Sequence, residues 1–523
     1  MTGQGVPRGW RTRTIRGGSV VVPEMTDWID VSVPARHTGT HMDGPVHFPG
    51  SGAVRLLVAG CGPAGAAAAM QARELGADVT LLEAERVGGT SLNRGPAPVR
   101  TLARAARLAR DWSSWESFGL EGPRPVPNFQ SVLANGARVA RYAHDKKDIA
   151  GHLRHNGIDL HEHLGPVRFS GPDTLCAADG RSWRADRIVI AVGCRAAALP
   201  VPGGELALTY EDIFSLKDLP RQVTVIGGAD TGCQVASIFA DLGAHVRLIE
   251  AGPRLVPGAD ASISTALGHA FEAKGIQVIT GATVQALERR GEQVIMQFTR
   301  GGPAEQATTE SVFAAVGWPA NLRGLDLDAA AVTSGPRAIP VDDYLRTNVG
   351  HIFAVGDVNG RSKLVQSARL EGRIAAWNAV RGPARQLVHD VVPSGSFTDP
   401  EYGTVGLTAD QAAMDHDIAV GIAWYDDLIR PVADGRPDGF CKLIADRSSH
   451  AILGAHVLGE YSAETVQVVA TAMRAGMNVE QLAEMQFAYP TFTEAVSMAA
   501  QKVCRTIGIG KFPPAWGYLG PPE

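Results

Sequence analysis

The sequence predicts an α/β protein with two Rossmann-like, doubly wound domains followed by a C-terminal α+β domain. Two segments, AVRLLVAGCGPAGAAAAMQARELGADVTLLEAE from Ala53 and QVTVIGGADTGCQVASIFADLGAHVRLIEAG from Gln222, each give the order strand, glycine turn, helix, strand. They start about 170 residues apart and are an internal duplication. The last ~125 residues, from Phe397, mix strands with helices. The length of 523 residues fits this organisation, because it corresponds to about three or four domains.

Composition excludes several classes of protein. Lys plus Arg is 49 and Asp plus Glu is 54, so the net charge of −5 argues against a broad nucleic-acid footprint. No apolar run reaches the roughly 18 residues of a membrane span. The basic N-terminus lacks the apolar stretch of a secretory signal, and six cysteines are too few for a disulfide scaffold. We therefore expect a cytoplasmic protein that acts on a small molecule without nucleic acid or a membrane.

The first glycine motif is a dinucleotide-binding fingerprint. Gly60 allows the tight turn, Gly62 lets a pyrophosphate approach the backbone, and Gly65 lets the helix pack on the strand. The following helix offers free N–H groups to the phosphates. Glu83 ends the second strand, where its carboxylate would accept hydrogen bonds from ribose hydroxyls. A glycine-rich turn without a ligand is the alternative interpretation.

The second fingerprint is degraded. Gly227 and Gly232 are kept, but Ala229 stands where the second glycine belongs, and Asp230 adds negative charge near the phosphates. Glu250, at the end of the next strand, favours a free 2′-hydroxyl and therefore NAD(H) over NADP(H). The alternative is a vestigial Rossmann domain that is kept for architecture.

The motif set resembles one known family from about Val54 to Ile509. The matching pieces, in order, include GCGPAG (60–65), GGTSLNRG (88–95), IAVGCR (190–195), AAVGWPAN (314–321), TNVGHIFAVGD (347–357), SARLEG (367–372), FTDPEYGTVGLT (397–408) and AYPTFTEA (488–495). They are similar to those of the flavin-dependent pyridine-nucleotide disulfide oxidoreductases, the group of dihydrolipoamide dehydrogenase, glutathione reductase and mercuric reductase.

The resemblance implies the domain plan and the cofactors. Residues 51–200 and 321–395 would form an FAD-binding domain, 201–320 an NAD(P)-binding-like domain and 396–523 the dimerisation domain of a homodimer. FAD would occupy the first site, with Gly89 and Thr90 along the pyrophosphate and flavin and Asp357 on the ribityl chain. The residues that the resemblance and the fingerprints together assign to FAD, and to a possible NAD(H), are Gly60, Gly62, Pro63, Ala64, Gly65, Glu83, Gly89, Thr90, Gly193, Gly356 and Asp357, and Gly227, Gly232 and Glu250.

The chain departs from the family at the redox-active cysteine pair. The positions of the Cys-x4-Cys pair hold Ser91 and Pro96, and no two of the six cysteines lie closer than 18 residues. Dithiol exchange needs a thiolate nucleophile, which neither serine nor proline can supply. The resemblance therefore implies an enzyme that has lost disulfide chemistry.

Other positions of the family's relay change together. The Lys after the cysteines is Arg100, its Glu partner is Gln234, the aromatic that gates the nicotinamide is Asp230, and the Arg of the GRxPN motif is Trp318. The His of the C-terminal HPTxxE motif is Tyr489.

These changes suggest a different catalytic set. We predict Tyr489 as general acid/base, Glu494 as the residue that orients it and Ser91 as a hydrogen-bond donor beside the flavin, with no metal among the catalytic groups. The alternative role of Tyr489 is plain packing at the subunit interface.

A histidine-rich segment precedes the first fingerprint. His37, His41, Asp43 and His47 have metal-ligand chemistry, and the segment is similar to the HxGTHxDxPxHF motif of the metal-dependent cyclases that include kynurenine formamidase. The similarity covers only about 20 residues of residues 1–50, so it fits a fusion remnant or a misjudged start site, with a working metal site as the alternative.

Three functions follow from the sequence. The first is an FAD-dependent oxidoreductase without disulfide chemistry, which exchanges hydride with a small organic molecule. A quinone and a biosynthetic intermediate are the candidate substrates, and NADH is a candidate hydride donor. The second is a redox-neutral flavoprotein for cyclisation, elimination or isomerisation, and the third is a nucleotide-binding homodimer without turnover.

Overall fold

The structure is a computed structural model that describes residues 10–15, 18–23 and 53–510. The described residues that precede Ala53 belong to one compact unit, and those from Ala53 onward belong to another. In the first unit, strands β1 (Trp10–Ile15) and β2 (Gly18–Pro23) pair antiparallel, with Ile15 opposite Gly18. Our sequence interpretation did not predict this hairpin.

The second unit begins with the first glycine motif. Its elements are β3 (Arg55–Ala59), α1 (Pro63–Glu74), β4 (Asp78–Leu82), α2 (Gly89–Asn93), α3 (Pro96–Arg110), α4 (Phe129–Lys147), α5 (Ile149–His155), β5 (Asp159–His161), the antiparallel strands β6 (Val167–Gly171), β7 (Thr174–Ala177) and β8 (Ser182–Arg184), and β9 (Arg187–Ile190). Only the first residue of β3 is exposed, and its other four are buried. Such a continuous apolar run is typical of a parallel strand covered on both faces.

The second glycine motif repeats this plan. Its elements are β10 (Gln222–Ile226), α6 (Asp230–Asp241), β11 (His245–Glu250), α7 (Ala261–Ala273), β12 (Gln277–Thr280), the antiparallel strands β13 (Thr283–Arg290), β14 (Gln293–Thr299) and β15 (Ala304–Thr309), and β16 (Ser311–Ala314). Strands β12, β11, β10 and β16 form a parallel sheet in that order. Strand β10 has the same burial pattern as β3, one exposed residue followed by four buried ones.

The chain then returns to the first sheet. Strand β17 (Ile352–Ala354) pairs parallel with β9 and completes the order β17-β9-β3-β4-β5. Helix α8 (Val365–Arg381) follows and packs along α1. The two helices touch at Gly372, where an added Cβ would lie 2.2 Å from the carbonyl oxygen of Ala64.

The C-terminal part is an α+β layer. Its elements are β18 (Ser394–Gly395), β19 (Tyr402–Gly406), α9 (Ala409–Asp415), β20 (Ile418–Trp424), α10 (Ile429–Ala433), β21 (Phe440–Asp446), β22 (Ile452–Leu458), α11 (Ser462–Arg474), α12 (Val479–Glu484) and α13 (Glu494–Thr506). An antiparallel sheet in the order β18-β19-β22-β21-β20 packs against α11 and α13 around one apolar core. The predicted fold class, two Rossmann-like domains plus a C-terminal α+β domain, is confirmed.

None of the helices in the described part of the chain is both long and apolar enough to cross a membrane.

We expect Gly372→Ala to destabilise the protein by about 1–3 kcal/mol, because the methyl group would overpack the contact between α1 and α8. The matched control is Gly268→Ala, also in a helix interior, where an added Cβ meets no atom within 4 Å. Alanine there should stabilise by up to about 1 kcal/mol through helix propensity alone. Thermal unfolding followed by circular dichroism measures both, and equal effects of the two substitutions would contradict the packing argument.

Candidate active site

Two glycines of the first fingerprint are required by the protein itself. Gly60 has a φ of +100°, and its N–H donates to the carbonyl oxygen of Leu82 at 2.7 Å, which ties the turn to the end of β4. A Cβ on Gly65 would lie 1.9 Å from the carbonyl oxygen of Gly60. Helix α1 can therefore lie against β3 only if position 65 has no side chain.

The middle glycine is not required by the protein in this way. Gly62, the N-cap of α1, has ordinary extended angles (φ −76°, ψ −171°), and the nearest atom to an added Cβ is the Cα of Gly89 at 3.8 Å. By helix geometry, the N–H groups of Ala64 and Gly65 have no acceptor within α1, and Pro63 has no N–H to satisfy. The open space at Gly62 and these free donors together suit a pyrophosphate.

The structure shows Glu83 in a different hydrogen-bonding role from the one predicted. Its carboxylate is buried and accepts the backbone N–H of Cys61 at 2.6 Å and that of Glu85 at 2.9 Å. Burial raises the pKa of Glu83, and these two donors oppose the rise. Each carboxylate oxygen can accept more than one bond, so the contact with ribose stays a prediction while the observed role is to hold the glycine turn.

The predicted flavin-side residues lie on the returning segment. Gly356 has a φ of +73°, and an added Cβ would lie 3.0 Å from the Cβ of Ala64. Its N–H donates to Glu371 at 2.6 Å, which fixes the turn that carries Asp357. Burial raises the pKa of Asp357, and it raises the pKa of Glu371 to about 7. The Asp357 carboxylate, next to the first turn of α1, is thus available to an incoming polar group.

The second fingerprint has the same glycine turn as the first, but it lacks the open space that the first has at Gly62. Gly227 has a φ of +105°, and a Cβ on Gly232 would lie 1.7 Å from the carbonyl oxygen of Gly227. Glu250 accepts the N–H of Gly228 at 2.6 Å, as Glu83 does that of Cys61. Ala229 has nearly the angles of Gly62 (φ −84°, ψ −173°), so its methyl group causes no strain and instead fills the place where a phosphate would approach.

Side chains also occupy the N-terminus of α6. The Asp230 carboxylate accepts a hydrogen bond from the hydroxyl of Tyr402, and Trp318 Nε1 donates to Thr231 Oγ1 at 3.2 Å. The protein atoms around the Asp230 carboxylate desolvate it, and this raises its pKa. The ring of Trp318 lies 5.1 Å from that of Tyr210. A nicotinamide nucleotide would have to displace or accommodate these groups.

Ser91 lies in a short helix, α2, that contacts of Asn93 hold in place. Asn93 donates to the carbonyl oxygen of Arg86 at 3.2 Å, and its side-chain oxygen contacts the buried ring of His144 on α4. Ser91 Oγ donates to the carbonyl oxygen of Gly88 at 3.2 Å. Ser91 also lines a cavity of about 290 Å³ between α1, α2, α5 and α8.

The structure does not bring all of the remaining predicted site residues into contact with one another. Thr90 accepts the N–H of Gly95 on its backbone oxygen, and Gly193 accepts that of Asn321. Tyr489 is 70% exposed, whereas one carboxylate oxygen of Glu494, at the first turn of α13, is buried without a hydrogen-bond partner. Within residues 53–510 no hydrogen bond joins Tyr489 to Glu494. The role predicted for Glu494, to orient Tyr489, is therefore not supported by a direct contact between the two side chains.

Arg100, which we predicted to replace a lysine of the family's relay, pairs with the C-terminal domain. Its guanidinium forms an ion pair with Glu401 at 2.7 Å and lies over the ring of Phe397, 4.8 Å from the centroid. Both partners belong to the C-terminal domain rather than to α6, where Gln234 lies. Burial raises the pKa of Glu401, with Arg107 and Arg100 opposing the rise.

Sequence reasoning missed one set of residues. Lys147, His152, Arg369 and Arg373 line the same cavity as Ser91. The one available signal was the spacing of Arg369 and Arg373, four residues apart and therefore on one face of a helix. The N-terminal candidates His37, His41, Asp43 and His47 lie outside the described residues.

Fold and site together define an oxidoreductase flavoprotein scaffold with two nucleotide-binding units and a dimerisation domain. The chain belongs to the pyridine nucleotide-disulphide oxidoreductase family, whose pattern matches residues 54–372, and the family's dimerisation domain matches residues 392–500. Members of this family use FAD and NAD(H).

Individual relatives agree with this assignment. The chain is 31% identical to a dihydrolipoyl dehydrogenase of Mycobacterium tuberculosis over 453 residues, which covers 84% of this chain and 96% of the relative. It is 30% identical to a mercuric reductase of Bacillus cereus, covering 85% of this chain and 70% of the relative. The crystal structure of LpdA from Mycobacterium tuberculosis has the same fold, with a TM-score of 0.78 at 24% identity, and the match covers 86% and 99% of the two chains.

We expect Gly62→Ala to weaken FAD binding at least about tenfold, because the methyl group would enter the space left for the pyrophosphate. The melting temperature of the FAD-free protein should not change, since no protein atom lies within 3.8 Å of that methyl group. Titration of the FAD-free protein with FAD, followed by flavin fluorescence, measures the affinity. Unchanged affinity would show that FAD does not pass over Gly62.

Proposed function

We propose that the protein is an FAD-dependent oxidoreductase without disulfide chemistry that exchanges hydride between the flavin and a small organic substrate. The observation that carries the proposal is Ser91, which lines the cavity beside the nucleotide site and which the sequence resemblance places at the position of a redox-active cysteine. A serine hydroxyl can donate a hydrogen bond there, but it cannot form a disulfide.

The state of the cysteines supports this proposal. None of the six, all of which lie in the described part of the chain, forms a disulfide, and Cys61, Cys233, Cys441 and Cys504 are buried. Burial raises the pKa of Cys194 to about 11 and that of Cys441 to about 12, so these thiols stay protonated at neutral pH. Burial also raises the pKa of the Cys61 and Cys233 thiols, which opposes their activation as nucleophiles.

The chain's own residues would bind and orient both partners. FAD, when bound, supplies two-electron hydride exchange without any sulfur group. The fingerprint turn and Asp357 would hold the cofactor, and Ser91 would donate to the substrate in the cavity. When an oxidised substrate accepts a hydride, its product also needs a proton, and a tyrosine hydroxyl such as that of Tyr489 can supply one and regain it from solvent.

Tyr489 would act across a homodimer interface. Its side chain is 70% exposed, and those of Tyr461 (44%) and Met485 (41%) are exposed as well. All three lie in the part of the chain that matches the family's dimerisation domain. Exposed aromatic and apolar side chains on such a domain suit burial against a second copy. The proposal therefore places Tyr489 over the partner subunit's flavin.

A redox-neutral flavoprotein is the second candidate function. Ala229 and the bond between Asp230 and Tyr402 favour it, because both oppose a nicotinamide nucleotide at the second site. In that case FAD would shape the cleft for a cyclisation, elimination or isomerisation, and no external hydride donor would be needed.

The proposal is tested by anaerobic mixing of the FAD-loaded protein with NADH, followed by flavin absorbance. We expect bleaching, reoxidation by a water-soluble benzoquinone, and no reoxidation by lipoamide or oxidised glutathione. Cys194→Ser, which removes the thiol that donates to the backbone oxygen of Asp357 at 3.1 Å, should behave like the natural chain. Reoxidation by lipoamide that Cys194→Ser abolishes would overturn the proposal, and no bleaching by NADH or NADPH would favour the redox-neutral function.

We expect Tyr489→Phe to lower kcat for the quinone by about tenfold or more, since a positioned general acid contributes roughly 10²- to 10⁴-fold. FAD content and dimer mass should stay unchanged. Tyr142→Phe, at another exposed tyrosine (62%), is the control. Equal turnover of both variants and the natural chain would assign Tyr489 to interface packing.

A further inference from the structure

A buried acid of α8 holds the turn on the flavin side of the first site. Glu371 is fully buried, and its Oε2 accepts the N–H of Gly356 at 2.6 Å and the side-chain amide of Asn359 at 2.7 Å. These two bonds hold the turn Gly356–Asn359, which carries Asp357. A hydrogen bond to an ionised group is about twice as strong as one between neutral groups. The turn is therefore held most firmly while Glu371 is ionised.

The other carboxylate oxygen of Glu371 faces a histidine. Its Oε1 lies 3.6 Å from Nε2 of His389, and both atoms are buried. Within residues 53–510 neither atom has a hydrogen-bond partner. Buried polar atoms without a partner are rare, because each one loses its hydration without compensation. An N–H···O bond is about 2.7–3.2 Å long, so a small rotation of the imidazole would join the two atoms.

His389 lies where the chain passes from the first sheet to the C-terminal layer. Leu387 belongs to the apolar core around β3 and α1, and Val391 packs against the core of the C-terminal sheet. Between them, Asp390 forms an ion pair with Arg474 of α11 at 3.2 Å. The segment is thus attached on both sides of the histidine, which fixes the position of its imidazole.

The charged neighbours of this pair determine where its proton lies. Burial raises the pKa of Glu371 to about 7, while the hydrogen bonds to its Oε2 and the charge of Arg361 oppose the rise and Asp357 adds to it. Burial and, after it, Arg361 lower the pKa of His389, and Asp390 opposes this change. The imidazole is therefore neutral at pH 7 and can donate a proton on Nε2 to the carboxylate.

We infer that His389 is a positioning residue of the FAD site, which donates to Glu371, keeps that carboxylate ionised and thereby holds the turn that carries Asp357. The inference rests on the part of the proposed function that places FAD at the first fingerprint, and not on the hydride exchange. A protonated Glu371 is a neutral acceptor, so its bonds to Gly356 and Asn359 weaken. The affinity for FAD is then kept above the pKa of Glu371 and is lost as pH falls through it.

The inference is tested by the release of FAD from the loaded full-length protein over a range of about pH 5.5 to 8.5. Flavin fluorescence after dilution follows the release. In the natural chain we expect release to become at least about fivefold faster on the acid side, with a midpoint near the pKa of Glu371.

His389→Phe removes the donor and keeps an aromatic ring. It should move the midpoint up by about one pH unit or more, because a buried carboxylate without this partner takes up a proton more readily. His389→Met, which also lacks a donor, gives the same test with a flexible side chain if the phenyl ring disturbs folding. His389→Gln should return the midpoint to within about half a unit of the natural value, since its amide can donate to Glu371.

Two further variants complete the design. Glu371→Gln should make release independent of pH over this range, because no proton can bind there. His416→Phe is the matched control: it breaks another histidine–carboxylate pair, with Asp446 at 3.0 Å, in the C-terminal domain. It should leave the midpoint of FAD release unchanged.

A midpoint that moves by less than about 0.3 unit in both His389→Phe and His389→Met would overturn the inference, since a residue that only fills space speeds release equally at every pH. Release from Glu371→Gln that keeps the natural pH dependence would overturn it as well. The measurement needs no turnover. A shifted midpoint in a chain that reduces lipoamide would keep this inference and reject the proposed reaction, whereas an unshifted midpoint in a chain that reduces the quinone would do the opposite.

Discussion

The close contact between strand and helix at each glycine turn is the constraint on which both nucleotide-binding units depend. Gly60 and Gly227 have positive φ values. A Cβ on Gly65 would overlap the carbonyl oxygen of Gly60, and a Cβ on Gly232 would overlap that of Gly227. Both copies keep these glycines, because neither unit could fold without them. At the remaining glycine of the fingerprint, Gly62 in the first copy, an added Cβ would meet only the Cα of Gly89, at 3.8 Å, and the second copy has Ala229 there. Both units have thus kept the two glycines that the fold requires. Only the first unit has also kept the middle glycine, which a bound phosphate would require.

A buried ionic network fixes the C-terminal domain against these two units. Arg107 lies between Glu401 and Glu460, and Arg110 and Lys274 both contact Asp399. Burial lowers the pKa of Lys274 to about 8 in spite of its carboxylate neighbours. Buried pairs of this kind add little net stability, but removing one partner leaves an uncompensated charge. The network therefore specifies where α3, α7 and the C-terminal sheet lie relative to one another, and with them the position of the domain that carries Tyr489.

The sequence was sufficient for features whose cause is local. The fingerprint turns follow from six residues each, and the apolar runs of β3 and β10 follow from burial on both faces. It was insufficient where distant segments meet. The pairing of Arg100 with Glu401 joins segments far apart in the chain, and the cavity beside Ser91 combines residues of α4, α5 and α8 that no single periodic pattern connects. The bond from Cys61 to Glu83 was also missed, because an acid at that position was read only as a ribose ligand.

Under the proposed function, Ser91 and the cavity that it lines have compatible roles. A disulfide substrate needs a thiolate beside it, and α2 offers a serine that is held in place through Asn93 and His144. A substrate that exchanges hydride with a flavin needs instead to be held in one orientation against the ring, because the transfer depends on distance and alignment. Under the proposed function, the apolar side chains that line the cavity beside Ser91, such as Met70 and Leu153, would hold such a molecule in one plane. Orientation by the cavity would then take the place that covalent attachment to a cysteine has in disulfide exchange.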